Sequence, residues 1–503
     1  MIFYLYNTNS YIIKAFSSYF NKLNITYELT NTINESDNSN IYIIFESNLS
    51  IKQYPQKYIL FCIDNKIQHE IIQNSFQSWN TSILPLIKYT KQIFNKSYFL
   101  PYPIINNLNQ NKTTIDILCY DLSDFSNKDI YDYLITKYKN QYNILYVTEN
   151  DTDLSNNIKN SRLILFLHSK NISISSKLNY ILSFGKPIIC ECIYNIIENE
   201  YLLNNKSVIT FIPQLTNLNN TDNYSMNHLC QYIDYYLNYN EFYINQQSNI
   251  KLYIKQQESI FEDLLQRLLC NINQYSFLDY KLSLNENKIY TLTLPEIPIR
   301  YKQFTKQSYL PNTQLLNKYY GIKNEKGWIG CGQSYQHLIY NAKINNLDYI
   351  TICEDDCLFK PKFELHYNKI LQYLNKNQPD WCIFAGLITQ GVTAFKPIVK
   401  NIHKLSNDFY LVEIESFVSM VFNIYNKNSY DTIINWDKSR SIDGYCFPKF
   451  KGKIYTCYPY LVNCIDESYS TISTSTVTNN YQFSNHIKQS ERNLKIAIDK
   501  FIK

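Results

Sequence analysis

Short apolar runs alternate with longer segments of helical periodicity along most of the chain. The apolar runs that predict strands lie at 2–6, 41–45, 58–63, 115–120, 144–147, 163–167, 187–192 and 288–294. Residues 11–23 have the spacing of an amphipathic helix, and residues 232–270 predict long helices. Strands that alternate with helices are typical of parallel sheets whose faces are covered by helices. The pattern therefore predicts an α/β fold.

Two breaks in this pattern divide the chain into three predicted domains. The turn-like segment 99–103 separates the first two blocks, and a new strand begins at 288. We expect residues 1–100 to form an amino-terminal Rossmann-like lobe and residues 101–280 a second such lobe with closing helices. Residues 283–503 are expected to form a third α/β domain with a mostly parallel sheet. The polar stretch 215–223 predicts a surface loop.

Three adjacent acids follow one of the most apolar strands in the third block. Residues Tyr349–Cys353 predict a central parallel strand that is covered on both faces, and Glu354, Asp355 and Asp356 come directly after it. Because side chains of a strand alternate in direction, Glu354 and Asp356 point the same way and could share one ion. Their hard oxygen ligands favour Mn²⁺ or Mg²⁺, with Asp355 left beside a nucleotide. The alternative is an acidic helix N-cap cluster.

Scarce residue types mark two further candidates. The segment 327–332 contains three of the nine glycines of the chain, which indicates either a tight turn before a helix or a close backbone approach to a ligand. Only five arginines occur, at 162, 267, 300, 440 and 492, although lysine is abundant. Arg300 follows a strand, so its fork of donors could bind a diphosphate or a ribose. The alternative for Arg300 is an ordinary surface position.

Overall composition excludes some classes of function. Lys and Arg number 48 against 43 Asp and Glu, and no dense basic block occurs, so we expect no nucleic-acid partner. The 13 cysteines are scattered through apolar runs, which indicates reduced core thiols. No apolar run approaches the length of about 18 residues that crosses a membrane. We therefore expect a soluble cytoplasmic protein, in the host cytoplasm if the chain is viral.

The order of motifs in the third block resembles glycosyltransferase family 25, over about residues 286–475. The matching features are the strand 289–294 followed by Arg300, the segment Gly327-Trp328-Ile329-Gly330-Cys331-Gly332-Gln333-Ser334, and the acids Glu354-Asp355-Asp356. This family contains bacterial lipooligosaccharide β-galactosyltransferases and procollagen galactosyltransferases. The resemblance implies a GT-A-like domain that binds a UDP-sugar, with Gly330 near the nucleotide. The chain departs from the family at Tyr335, where the family has His.

Two positions near this region are candidates for roles beside the acids. The segment Ser441-Ile442-Asp443-Gly444-Tyr445 resembles a later Pro-x-Asp-Asp segment of the family, which makes Asp443 a candidate general base. The alternative for Asp443 is a simple Asp-Gly turn. His337 is a poor substitute for the missing family His, because two residues along a helix point to different faces.

The amino-terminal blocks resemble the nucleotide-binding half of a GT-B glycosyltransferase. A helix that ends in Gly185-Lys186-Pro187 leads to a strand that ends at Glu191, and His168 ends an earlier strand. The resemblance implies that Glu191 contacts the donor sugar or ribose. Helix–glycine–strand junctions also occur as helix caps in all Rossmann-like domains. A second active transferase and an acceptor-positioning module both remain open.

These features together predict a metal-dependent glycosyltransferase. It would transfer galactose or glucose from a UDP-sugar to a hydroxyl of a glycan or glycoprotein, with inversion at the anomeric carbon. One alternative is a non-catalytic glycan-binding or structural protein, which the replacement at Tyr335 favours and the acid triplet opposes. Another is a metal-dependent nucleotide-sugar hydrolase, which would need no acceptor cleft.

Overall fold

The computed structural model divides the chain into two compact units, Met1–Leu265 and Gln266–Lys503. We call these the amino-terminal unit and the carboxyl-terminal unit. The three-domain division remains a prediction. The residues that the structure describes are 2–6, 10–30, 40–45, 58–62, 75, 77–80, 96–101, 103, 107–108, 113–122, 128–148, 150–167, 175–191, 208–212, 224–272, 276, 279–377, 380–389, 395–417, 419–465 and 483–503.

The amino-terminal unit contains two sheets whose described strands are all parallel. The first sheet has the order β2-β1-β3-β4-β5-β6, and the second has the order β11-β10-β9-β7-β8. In each sheet the first strand lies between two later ones, which is the doubly wound topology expected for a Rossmann-like lobe. The strands are β1 (Phe3–Tyr6), β2 (Tyr27–Thr30), β3 (Ile41–Phe45), β4 (Tyr58–Cys62), β5 (Gln77–Asn80), β6 (Ser97–Phe99), β7 (Ile115–Asp121), β8 (Ile144–Thr148), β9 (Ser161–Leu167), β10 (Ile188–Glu191) and β11 (Ile209–Ile212).

One long helix packs against elements of both lobes of this unit. Phe261 contacts the rings of Phe16 and Tyr19 in the first lobe. About two turns earlier, Tyr253 and Ile254 belong to the core of the second sheet. The described helices of the unit are α1 (Ser10–Lys22), α2 (Lys128–Lys137), α3 (Leu154–Asn160), α4 (Ser175–Leu182), α5 (Tyr224–Asn238) and α6 (Asn240–Asn271), the last of which runs into the other unit.

The carboxyl-terminal unit is built on an eight-stranded sheet with the order β13-β12-β14-β19-β16-β20-β18-β17. A two-stranded sheet pairs β15 with β21. Its strands are β12 (Ile289–Thr293), β13 (Leu316–Tyr320), β14 (Tyr349–Glu354), β15 (Cys357–Phe359), β16 (Trp381–Ala385), β17 (Val399–Ser406), β18 (Phe409–Ile414), β19 (Phe422–Asn426), β20 (Lys453–Tyr458) and β21 (Val462–Cys464). Its helices are α7 (Pro298–Thr305), α8 (Gly327–Ile344), α9 (Phe363–Asn377), α10 (Lys427–Ile434), α11 (Ile442–Cys446) and α12 (Phe483–Ile502).

This sheet is mixed, whereas the sequence predicted a mostly parallel one. β14 is parallel to β12 but antiparallel to β19, so the predicted central strand has one neighbour of each direction. The first five residues of β14 are buried, as their apolar character predicts. The sequence of residues 416–423 also predicts a buried strand, but β19 begins only at Phe422. In the segment before β19, the carbonyl of Ser419 accepts a hydrogen bond from the side-chain amide of the buried Asn423 instead of from a neighbouring strand.

Candidate active site at the carboxyl end of strand β14

The backbone of the acid triplet is held from three directions. The amide of Glu354 donates to the carbonyl of Val421 at 2.9 Å, and the amide of Asp355 donates to the carbonyl of Leu292 at 3.1 Å. The carbonyl of Asp356 accepts from the amide of Ile465 at 2.7 Å. The chain turns at Asp355 and Asp356 before β15 begins. The three carboxylates are therefore presented from a rigid strand end.

Arg300 lies between two of these carboxylates. It is in the first turn of α7, which begins at Pro298, a residue whose fixed φ suits the start of a helix. Its Nη2 is 2.7 Å from Asp355 Oδ1 and 3.1 Å from Asp356 Oδ2. Thr293 Oγ1, at the end of β12, donates to Asp355 Oδ2 at 2.7 Å. Asp355 is therefore held by a cation and a hydroxyl on neighbouring elements.

The other oxygen of Asp356 is buried and makes no hydrogen bond to any described residue. A buried carboxylate oxygen without a donor is costly, because folding has removed its water. The observation points to a partner that is bound from outside the chain at this oxygen.

Glu354 is a half-buried acid whose pKa is raised. Desolvation is the main cause that raises its pKa to about 8, and the charge of Asp356 acts in the same direction. Arg300 and a hydrogen bond from Cys331 oppose these effects. Cys331 Sγ lies 3.4 Å from Glu354 Oε1. A cation placed between Glu354 and Asp356 would remove their repulsion and favour the ionised form of both.

Tyr335, which stands where the family has His, anchors the core. It lies on α8, one turn after Cys331, and is fully buried. Its hydroxyl donates to the carbonyl of Met420 at 2.6 Å. Burial, followed by the charge of Glu354, raises its pKa well above the usual value, so it remains a neutral phenol. Tyr335 thus ties α8 to the segment that precedes β19, close to Glu354.

His337 takes no part in this cluster. Its Nδ1 is 2.8 Å from the hydroxyl of Tyr319, and its Nε2 is 2.8 Å from the carbonyl of Tyr280. A carbonyl only accepts, so Nε2 must carry the proton and Nδ1 must accept from Tyr319. Burial lowers the pKa of His337 to about 3. The imidazole is neutral and faces away from the acids, as its position two residues after Tyr335 predicted.

The glycine cluster serves helix packing in this structure. Gly330 and Gly332 lie inside α8, and among the described glycines only Gly185 has a positive φ, of 69°. A Cβ on Gly330 would lie 2.4 Å from the carbonyl oxygen of Ile322, and one on Gly332 would lie 2.3 Å from the Trp436 ring. The close approach at Gly330 is therefore to the chain's own backbone. Gly330 and Gly332 have the negative φ values of a helix, so neither adopts the left-handed conformation that some tight turns need. The contact of Gly330 with a nucleotide stays a prediction.

Asp443 lies in the first turn of the short helix α11 and is half-buried. Its Oδ1 accepts a hydrogen bond from the amide of Gly444 at 2.8 Å. Burial, followed by the charge of Glu354, raises the pKa of Cys331, and the charge of Asp443 adds to this effect, so Asp443 lies near the thiol that contacts Glu354. The fold thus brings Asp443, Cys331 and the acid triplet into one neighbourhood, although α11 is distant from β14 in sequence.

The candidates in the amino-terminal unit are only partly described. Glu191 is the last residue of β10, but its side chain lies outside the described part of the chain, as does all of His168. Asp121 ends β7, which is separated from β10 by β9 in the sheet. It is buried and accepts a hydrogen bond from the hydroxyl of Tyr146 at 2.6 Å. Gly185 has the left-handed conformation of a helix cap, which the alternative interpretation of this segment predicted.

Glu354 and Asp356 could supply two protein ligands to a divalent cation. Among the described residues, no group of three or more His, Cys, Asp or Glu side chains is arranged to hold a metal ion. Glu354 and Asp356 nevertheless supply two crowded carboxylates, one with a buried oxygen that lacks a donor. Mg²⁺ and Mn²⁺ commonly take one or two carboxylates and complete their shell with water and phosphate oxygens. These residues therefore suit a cation that arrives with a diphosphate.

Two contributors to the cluster were missed at the level of sequence. Thr293 ends β12 and Cys331 lies on α8, and both touch the acid triplet directly. Thr293 could have been recognised from the sequence, since it is a polar residue at the carboxyl end of a strand. That strand, β12, is parallel to β14. Cys331 is part of the glycine-rich segment, but nothing in its spacing indicates a contact with Glu354.

No family model matches the chain, and no curated protein matches it significantly. Solved structures that match include WaaG, a glycosyltransferase involved in lipopolysaccharide biosynthesis, at 10% identity and a TM-score of 0.34, over 53% of this chain and 98% of that one. HepE of Anabaena in complex with UDP and glucose matches at 8% identity and a TM-score of 0.32, over 54% of this chain and 100% of that one. CalG4, the calicheamicin glycosyltransferase, matches at 6% identity and a TM-score of 0.28, over 54% of this chain and 98% of that one.

These TM-scores are too low to carry an argument about the fold or the activity of this chain. The resemblance to family 25 accordingly rests on the motif residues alone. In the described part of the chain, no helix has the length and apolar character needed to cross a membrane.

Proposed function

We propose that the carboxyl-terminal unit is a glycosyltransferase domain. It transfers galactose or glucose from a UDP-sugar to a hydroxyl of a glycan or glycoprotein. The observation that carries this proposal is the convergence of Arg300, Thr293, Glu354, Asp355 and Asp356 at the carboxyl ends of β12 and β14. Ligands of α/β sheets bind at the carboxyl ends of strands, and this cluster has the charges that a metal-bound diphosphate requires.

Arg300 and Asp355 form the nucleotide side of the proposed site. Without a ligand, the guanidinium of Arg300 is shared between Asp355 and Asp356. A guanidinium has five donors in a fixed fork, so it can keep its contact with Asp355 and still donate to a phosphate or a ribose hydroxyl. Thr293 holds Asp355 from the other side and fixes the direction of the carboxylate. Gly330, near the start of α8, is proposed to lie beside the nucleotide.

Glu354 and Asp356 would hold Mn²⁺ or Mg²⁺. When bound, such an ion neutralises the negative charge that develops on the leaving diphosphate. The protein's own contribution is to keep both acids on a rigid strand end. The hydrogen bond from Cys331 keeps Glu354 oriented before the ion arrives.

Asp443 is the proposed general base. In an inverting transfer, the acceptor oxygen forms a bond to the anomeric carbon while the bond from that carbon to the phosphate oxygen breaks. The acceptor hydroxyl gives its proton to a carboxylate oxygen of Asp443, and UDP leaves with the bonding electrons. A half-buried carboxylate on a surface helix can accept this proton without moving the acid triplet.

Residues 1–280 are proposed to form a second, GT-B-like module, with lobes at 1–100 and 101–280, which includes the whole amino-terminal unit. Its doubly wound sheets place the carboxyl ends of strands at a topological switch point, where nucleotides bind. Glu191 at the end of β10 is the proposed contact with a donor sugar or ribose. We propose that both modules work in the cytoplasm, where nucleotide sugars are the donors.

Donor turnover by the full chain tests the proposal. We expect Mn²⁺-dependent release of UDP from UDP-galactose or UDP-glucose in the presence of a glycan acceptor. The substitutions Glu354→Ala and Asp356→Ala should abolish it, whereas Glu415→Ala, which changes an exposed acid, should not. Asp443→Asn should lower kcat but leave donor affinity unchanged. Equal activity of wild type, Glu354→Ala and Asp356→Ala with every donor would disprove the site.

A non-catalytic glycan-binding protein is the second candidate. Arg300 already neutralises Asp355 and Asp356 without any ligand, as a retained structural ion pair would. In that case the full chain would bind a glycan but release no UDP from any donor. Release of UDP that does not depend on an acceptor would instead indicate a nucleotide-sugar hydrolase.

A further inference from the structure

Lys318 lies on the edge strand next to the proposed donor site. On β13 it is paired in register with Thr291 of β12, and Thr291 is paired with Cys353 of β14. Residues paired in register point to the same face of a sheet. Two residues further along, Tyr320 is paired with Thr293, the residue that donates to Asp355. Lys318 is therefore on the sheet face that leads to Asp355.

The ammonium group of Lys318 lies between two aromatic rings. Its Nζ is 4.4 Å from the centre of the Tyr301 ring and 4.6 Å from the centre of the Tyr320 ring. Tyr301 is the neighbour of Arg300 on α7, so the same helix positions both cationic groups. Lys318 as a whole is exposed, and the two rings flank its charged end.

This ammonium group carries a charge that the protein does not neutralise. Among the described residues, none of the ion pairs involves Lys318. Asp355 attracts it but is already bound by Arg300 and Thr293. Desolvation lowers the pKa of Lys318 to about 8, so the group is still mostly protonated at neutral pH. Ring contacts stabilise a cation without neutralising its charge, so the ammonium can still bind an anion.

We propose that Lys318 is a phosphate-binding residue of the donor site, held in place by Tyr301 and Tyr320. It would act together with Arg300, so that two protein cations near Asp355 bind the diphosphate of a nucleoside diphosphate. This inference rests on the proposed function, because it takes the ligand of the acid cluster to be a sugar nucleotide. It adds a residue that lies outside every motif of the sequence.

Calorimetric titration of the full chain, with saturating Mn²⁺, tests this role. The probes are UDP, which carries the diphosphate, and uridine, which does not. Lys318→Met keeps the length of the side chain and removes the charge, and Lys318→Arg keeps a charge. Lys306→Met changes an exposed lysine at the end of the same helix and serves as the control. Thermal unfolding of each variant shows whether it is folded.

We expect Lys318→Met to bind UDP about 10- to 100-fold more weakly, as loss of one charged hydrogen bond predicts. Its affinity for uridine should not change, and Lys318→Arg and Lys306→Met should bind UDP like wild type. Undiminished binding of UDP by Lys318→Met overturns the role of Lys318 and leaves the proposed function intact. An equal loss for UDP and uridine overturns it too, since the residue would then support the fold or the nucleoside. Failure of wild type to bind UDP at all overturns both proposals.

Discussion

The hydroxyl of Tyr335 donates to the carbonyl of Met420 at 2.6 Å, so the residue that breaks the family pattern has a structural partner of its own. The bond joins α8, which carries Cys331, to the segment before β19, whose Val421 carbonyl accepts from Glu354. A histidine at this position would be shorter and would leave that carbonyl without the phenol. The departure at Tyr335 is therefore compatible with an intact acid cluster.

Removing this hydroxyl should destabilise the protein. In Tyr335→Phe the buried carbonyl of Met420 loses its donor, and we expect a loss of about 1–3 kcal/mol in the free energy of unfolding. Urea denaturation measures it. Tyr309→Phe is the matched control, because Tyr309 is 54% exposed and should tolerate the change. A stability of Tyr335→Phe equal to wild type would show that the hydroxyl has no structural role.

Gly330 should not tolerate even a methyl group. A Cβ there would lie 2.4 Å from the Ile322 carbonyl oxygen and 2.9 Å from the Asn324 amide nitrogen, both backbone atoms that move little. Overpacking of this kind costs about 1–3 kcal/mol, which exceeds the gain of about 1 kcal/mol that alanine brings to a helix. We expect Gly330→Ala to lower the unfolding temperature.

Gly444→Ala is the control for this substitution. Gly444 also lies in a helix, but its nearest neighbour would be the Ser441 hydroxyl at 3.1 Å, a side chain that can rotate. Its unfolding temperature should stay equal or rise. The same drop in both variants would refute packing as the reason for glycine at 330.

Ionisation of Glu354 is expected to lower the free energy of unfolding. The proposed metal site nevertheless needs this acid. Its pKa in the folded chain is raised to about 8, so the unfolded chain ionises at lower pH than the folded one does. Stability is therefore lost as the pH rises from the unfolded pKa of about 4.3 toward 8. Glu354→Gln removes this charge, so its stability relative to wild type should increase across that range and then level off.

Urea denaturation at pH 5, 6, 7 and 8.5 would measure the effect of Glu354→Gln. Glu415→Gln, at an exposed position, should show no such trend. Donor turnover by Glu354→Gln should nevertheless be lost, because an amide does not replace a carboxylate beside a cation. A stability difference that is independent of pH would mean that Glu354 ionises normally in the folded chain.

Lys323 should make the stability of the protein rise with pH in a higher pH range, which is the opposite of the effect of Glu354. It is buried near the ion pair of Arg267 and Glu296, whose Nη2 and Oε1 atoms are 2.5 Å apart, and burial lowers its pKa to about 7. The unfolded chain then binds more protons between pH 7 and about 10.4, so stability rises with pH in that range. Lys318 contributes in the same direction.

The substitution Lys323→Met should flatten this rise. Its stability advantage over wild type should be largest at or below pH 7 and should shrink as the pH approaches 10. Chemical denaturation between pH 6 and 10 provides the measurement. Lys326→Met, three residues later and exposed, should follow the wild-type curve. A wild-type curve without a rise would show that Lys323 keeps its ordinary pKa in the fold.

Apolar runs predicted the buried strands well because burial on both faces requires an unbroken apolar sequence. β12 and β14 lie where such runs predicted them, and the acids follow β14 at its carboxyl end. The same reasoning was wrong for the strand at 416–423, because apolar residues also fill the irregular segment before β19. It did not predict the hairpin of β17 and β18, whose outer strand is only partly buried and has no apolar run.

Sequence alone determined the acids at the end of β14, because the apolar run ends abruptly where the charges begin. It also determined that Arg300 follows a strand and that glycines cluster in 327–332. Only the tertiary structure decided what these residues touch: Arg300 contacts Asp355 and Asp356, whereas Gly330 contacts the backbone of Ile322. Lys318 became a candidate only through its rings and its register with β12. Such contacts depend on the pairing of strands and the packing of helices that are far apart in the chain, and no local pattern encodes those distances.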